Sequence, residues 1–209
     1  TTVCSGNNTT TLTLSGYRGT ISWQSASLSG TFSTISGQTA ATLTASSLSS
    51  TTRYRALVKS GACTSVLSDT AIIMVDSASL AGTISGVTTI CKDNSTTLNL
   101  NGYRGVIQWQ SSANGNSFSN LSGSTSASLN TGSLSATTYY RAYVSNGVCS
   151  ADTTSVTTVT VTPLSVAGTI SGTTTICSGT STQLTLNGSV GTIQWQESSN
   201  GSSFTNITS

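Results

Sequence analysis

Three tryptophans, Trp23, Trp109 and Trp195, stand 86 residues apart, and each is framed by nearly the same text: Gly19-Thr20-Ile21-Ser22-Trp23-Gln24, Gly105-Val106-Ile107-Gln108-Trp109-Gln110 and Gly191-Thr192-Ile193-Gln194-Trp195-Gln196. A second marker, Ala81-Gly82-Thr83-Ile84-Ser85-Gly86, returns as Ala167-Gly168-Thr169-Ile170-Ser171-Gly172. A fixed period means repeated structural units, and one of 86 residues is too long for a solenoid turn but suits an independently folded domain. In this frame residues 1–79 are a unit lacking its first strand, 80–163 a complete unit and 164–209 the N-terminal part of a third, with both ends of the chain read as cut. Only two or three residues separate the last strand of one unit from the opening of the next. Neighbours are therefore expected to sit end to end, as a rod.

Within the complete unit the apolar residues alternate. Leu98 and Leu100 flank Asn99, Ile107 and Trp109 alternate with Gln108 and Gln110, and Tyr140, Ala142 and Val144 alternate with Arg141 and Tyr143. A period of two is the mark of strands with one wet face. Asn101-Gly102, Asn114-Gly115 and Asn146-Gly147 punctuate them, the last as a candidate two-residue type I′ hairpin. No stretch has helical amphipathic spacing. The series Leu134, Thr138, Tyr140 recurs as Leu48, Thr52, Tyr54 and resembles the tyrosine corner of immunoglobulin-like sandwiches. The expected fold is all-β: tandem immunoglobulin-like Greek-key sandwiches, with Trp23, Trp109, Trp195, Tyr54 and Tyr140 as the core signature and a jelly roll as the competing architecture.

Composition narrows the function. Ser and Thr make up 83 of 209 residues, only 6% of residues are charged, and there is no His. General acid–base catalysis needs His or perturbed carboxylates, and the five acids, Asp69, Asp76, Asp93, Asp152 and Glu197, are scattered. No enzyme, no metal site and no cofactor are expected. A net charge of +2 gives no electrostatic footprint for nucleic acid. The longest apolar run, Ala71 to Val75, is far too short for a membrane helix, so direct membrane insertion is not expected. With 35% hydrophobic residues the chain still has apolar surface to bury, which separates it from disordered hydroxyl-rich sequences.

The cysteines recur in the same frame. Cys4 and Cys63 are 59 residues apart, Cys91 and Cys149 are 58 apart, and Cys177 is the first of a pair whose second member would lie beyond residue 209. Two disulfides are expected, Cys4–Cys63 and Cys91–Cys149, each joining the first-strand region to the last strand of its own unit. Paired cysteines in such a chain imply an oxidising location.

Taken together, Ala-Gly-Thr-Ile-Ser-Gly, a Cys five to seven residues later, Gly-Xaa-Ile-Gln-Trp-Gln, Asn-Gly-Xaa-Ser-Phe and Tyr-Arg-Ala-Xaa-Val with Gly-Xaa-Cys resemble the immunoglobulin-like repeats of very large Bacteroidetes surface adhesins, the SprB-type gliding-motility adhesins among them. The resemblance implies type IX secretion, a cell-surface or secreted location with outer-membrane anchoring, and a role as the mechanical stalk of a filamentous adhesin. Its implied partners are neighbouring repeats of the same chain, surface polysaccharide, and the gliding or secretion machinery. The alternative is an accessory glycan-binding module on a secreted polysaccharide-degrading enzyme, for which Tyr17-Arg18 and Tyr103-Arg104 are candidate sugar platforms. Asp69-Thr70-Ala71, Asp76-Ser77-Ala78 and Asp152-Thr153-Thr154 resemble the O-glycosylation sequon of exported Bacteroidetes proteins, which makes Thr70, Ser77 and Thr153 candidate glycan carriers.

Overall fold

The computed structural model describes residues 1–208. In the first unit the strands are β1 (Thr2–Cys4), β2 (Thr9–Thr13), β3 (Thr20–Ser27), β4 (Ser33–Thr34), β5 (Thr42–Ser46), β6 (Thr52–Lys59), β7 (Val66–Leu67) and β8 (Ala71–Asp76). The second unit has β9 (Thr83–Gly86), β10 (Thr89–Cys91), β11 (Thr97–Asn101), β12 (Val106–Ser112), β13 (Ser119–Asn120), β14 (Ser128–Asn130), β15 (Thr138–Ser145), β16 (Asp152–Thr153) and β17 (Thr157–Thr162). The third contributes β18 (Thr169–Gly172), β19 (Leu184–Asn187), β20 (Gln196–Glu197) and β21 (Thr205–Asn206).

The second unit is an immunoglobulin-like sandwich by its strand order. One sheet runs β14-β11-β9, the other β10-β17-β15-β12-β13 with β16 also on β15. Its pairs are antiparallel except β10 on β17, which is parallel. The first unit repeats the larger sheet as β1-β8-β6-β3-β4, again with a parallel first pair, while β2 pairs with β5 and, among the described residues, has no counterpart of β9 on its other edge. Period-two alternation places Ile107 and Trp109, and Tyr140, Ala142 and Val144, on the inner faces, where they are buried with Leu98, Leu100, Leu129 and Val159. A separate cluster around Ile21, Trp23, Leu43, Tyr54, Ala56 and Ile73 fills the first unit. Each unit thus has its own core.

Both central indoles are buried with their one donor satisfied: Trp109 Nε1–H donates to the Ser126 carbonyl at 2.8 Å, and Trp23 Nε1–H to the Ala40 carbonyl at 2.9 Å. Trp195 departs from the expected core signature. It is half-buried, and no described residue from 164 to 208 is fully buried, because no counterpart of β15 or β17 covers the third unit's inner face among the described residues. Tyr54 and Tyr140 do lie in the cores. Their burial holds both phenols above the ordinary tyrosine value. A raised folded-state value means the neutral phenol is favoured, so this contribution to stability is complete below the unfolded value and is lost as pH rises through the folded one. In an absorbance titration Tyr54 and Tyr140 should ionise above the ordinary tyrosine range, in step with loss of the β circular dichroism signal; ionisation at the ordinary value would contradict the packing.

The last strand of each sandwich is broken by a bulge. β7 and β8 pair with the same strand, β6, in registers that differ by one residue, as β16 and β17 do on β15. The bulge would orphan an amide on the central strand, and a hydroxyl takes the missing acceptor's place. Ala142 N–H donates to Thr154 Oγ1 at 3.0 Å, and Ala56 N–H to Ser68 Oγ at 2.8 Å. Thr154→Val keeps the shape and removes the acceptor inside a buried site, so it should destabilise the second unit by about 1–3 kcal/mol; urea denaturation measures this.

Candidate functional site: a covalent junction between units

Cys4, Asp76, Asn146 and Cys149 converge at one place, where the first unit meets the second. β1 lies parallel beside the end of β8, with Cys4 opposite Asp76 and the Ser5 amide donating to the Asp76 carbonyl at 2.8 Å. Residues 77–79 link to the second unit, which begins at Leu80 with a bridge to Arg104. Against this linker the second unit presents the turn between β15 and β16. Asn146 Nδ2 donates to the Ser77 carbonyl at 2.7 Å, the Asn146 amide to Ser79 Oγ at 2.9 Å, and the Val148 amide to Asp76 Oδ2 at 2.9 Å. The last of these is charge-assisted and of the stronger sort. Beside them Cys4 is disulfide-bonded to Cys149, 145 residues further on, with a Cα–Cα separation of 4.9 Å.

The turn chemistry differs from the type I′ expectation. Only Gly147, at φ 53°, is in the left-handed region, while Asn146 is not, and Cys149 N–H closes the turn on the Asn146 carbonyl at 3.0 Å. Gly147 is thus the first central residue, the type II′ placement. Asn146 precedes the turn centre, as Ser60 does in the first unit, and its amide and side chain bond to the linker. A Cβ at Gly147 would run into the Asp76 carboxylate, so glycine here also serves close approach between units.

The bridge corrects the pairing expected from spacing. Cys4 does not bond Cys63, nor Cys91 Cys149; the structure joins Cys4 of one unit to Cys149 of the next, and Cys63, Cys91 and Cys177 are free and exposed. The reason is the direction of the last strand. Cys63 precedes β7 at one end of the sandwich, whereas Cys4 is registered with Asp76 at the far end of β8. With a rise of about 3.3 Å per residue, the β7–β8 edge holds the two on the order of 30 Å apart. A disulfide needs Cα atoms within about 7 Å. The near-equal spacings of 59 and 58 residues came from the 86-residue period, which adjacent-unit pairing satisfies as well.

The other expected residues are dispersed. Thr70, Ser77 and Thr153 are all exposed, but two of their preceding aspartates have structural partners: Asp76 in the junction, and Asp152, whose Oδ2 accepts the Ala81 amide at 2.9 Å inside the second unit. Tyr17 and Tyr103 are each 39% exposed at equivalent loop positions. A feature the sequence reading missed lies on the outer face of the larger sheets. Arg55 donates to Gln24 Oε1 and stacks 4.0 Å from the Phe32 ring centre; Arg141 donates to Gln110 Oε1 and stacks 4.2 Å from Phe118. The recurrence of Gln, Phe and Arg in both units was the available signal, but only the strand pairing brings them together. Each guanidinium group lies over a face of its phenylalanine ring.

Among the described residues no three His, Cys, Asp or Glu side chains are grouped as a metal site would require, and no helix is long and apolar enough to cross a membrane.

A family model described as "Domain of unknown function (DUF8696)" matches residues 1–77, 80–163 and 166–209. No curated protein matches the sequence. Among solved structures the chain is similar to murine CEACAM1b (13% identity, TM-score 0.46, 78% of this chain and 96% of that one) and to the amphioxus IgVJ-C2 molecule (10%, 0.45, 76% and 99%). It is also similar to the N-terminal four immunoglobulin domains of Dscam1 isoform 6.9 (10%, 0.46), over 78% of this chain and 43% of that chain.

Proposed function

The chain belongs to the family described as Domain of unknown function (DUF8696), three times over along its length, and on that premise we propose that it is a repeat segment of an extracellular stalk or spacer, the load-bearing part of a filamentous cell-surface adhesin. One observation carries the reading: the Cys4–Cys149 bridge ties unit to unit. A disulfide within a domain stabilises that domain. One between domains limits how far they can part, which is what a spacer under tension requires. The bond also favours an oxidising, extracellular setting. Few charges, no His and no grouped metal ligands among the described residues agree with a mechanical role. Attachment to gliding machinery, type IX secretion and glycans on Thr70, Ser77 and Thr153 belong to the same reading by resemblance.

The test is the reading frame that encodes the chain. Dozens of 86-residue copies support the stalk; a few copies beside a catalytic domain would replace it with the accessory glycan-binding module. For the glycans, the intact mass of the protein isolated from its native cells should exceed that of the bare polypeptide. A mass equal to the polypeptide, allowing for disulfides, removes them from the account.

A further inference from the structure

We propose that Cys63 and Cys91 are the open halves of two further junctions of the same kind, so that every unit is disulfide-bonded through its first-strand cysteine to the following copy and through its turn cysteine to the preceding one. The inference rests on the junction described above and names its partner: a flanking copy of the same repeat.

The seats are the same. Cys91 stands opposite Thr162 in the parallel pairing that sets Cys4 opposite Asp76, and the Lys92 amide donates to the Thr162 carbonyl at 2.8 Å as Ser5 does to that of Asp76. Cys63 N–H closes its turn on the Ser60 carbonyl at 3.0 Å, with Gly61 at φ 53°, matching Cys149 on Asn146 with Gly147 at φ 53°. Cys63 and Cys91 are both exposed, whereas Cys149, with its partner in place, is buried. The strand that keeps Cys4 from Cys63 likewise keeps Cys91 from Cys149, so neither open cysteine has a partner in its own unit. The linker acceptors are partly retained after the second unit: Pro163 still offers a carbonyl where Ser77 does and Ser165 a hydroxyl where Ser79 does, while Thr162 replaces the Asp76 carboxylate. The Cys91 junction therefore keeps its covalent clamp with one charge-assisted bond fewer. Each new bridge removes two protons and two electrons from two thiols. A disulfide donor such as oxidised glutathione accepts them and is released as two glutathione thiols.

The experiment completes the third unit by appending a copy of residues 124–163 after Ser209, refolds the chain in a glutathione buffer and maps disulfides by peptide mass spectrometry. The expected result is two bridges, Cys4–Cys149 and Cys91 to the appended copy of Cys149, with Cys63 and Cys177 left as thiols. Changing the appended cysteine to Ser should return Cys91 to the thiol pool. A second variant, with a copy of residues 80–173 placed before Thr1, should bond the copy of Cys91 to Cys63, so the inference stays testable if the first variant fails to fold. Free Cys91 beside an intact Cys4–Cys149 overturns the inference and leaves the junction standing. So does a disulfide-linked dimer, which would make a second molecule the partner. Bridges Cys4–Cys63 or Cys91–Cys149 would overturn both.

Discussion

Trp109→Ala is expected to lower the stability of the second unit by about 3–5 kcal/mol, the range for truncating a large buried aromatic. Trp109 is fully buried at the centre of its cluster, and its indole also donates to the Ser126 carbonyl. A domain this small has a total stability of about 5–15 kcal/mol, so the loss is a large share of the whole. Because the first unit has a separate core, its own transition should survive. Urea denaturation followed by circular dichroism should show two transitions, of which only one moves. A loss below about 1 kcal/mol would mean the site collapses around the missing ring, and simultaneous loss of both transitions would mean that the two cores are not independent.

Cys149→Ser is the second large effect. Closing a loop as long as the 145 residues between Cys4 and Cys149 is worth nearly 5 kcal/mol in the chain-entropy estimate. That is an upper bound here, because the loop holds two units able to unfold separately. Expected are a lower denaturation midpoint, a newly titratable Cys4 thiol and faster amide exchange at Asn146 and Val148, whose bonds across the junction lose their covalent support. Cys63→Ser should leave all three unchanged. Equal effects from both variants would show that the loss comes from replacing any cysteine and not from the junction.

The period of 86, the alternating strands and the cores around Trp23 and Trp109 were legible in the sequence because each is a local pattern that recurs. The cysteine partners were not, and the reason is physical: a periodic spacing is the same whether Cys4 bonds within its unit or to the next one, and only the length of the β7–β8 edge decides between them. The hydroxyls of Ser68 and Thr154 were hidden for a similar reason, since in a chain so rich in Ser and Thr nothing marks the two that replace a backbone acceptor. Asn146 misled in a specific way. Next to glycine it reads as a turn residue, whereas its amide is used by the linker of the preceding unit.

The bridge also decides how far the molecule can be drawn out. A tug applied at the two chain ends passes from Cys4 straight to Cys149, so the residues between them lie on a slack loop outside the taut path. Even if both units melted, roughly 500 Å of extended backbone, at about 3.5 Å per residue, would stay unavailable for lengthening. The chain would stretch by its bypass and not by its contents, and a reducing agent would convert a short path into a long one.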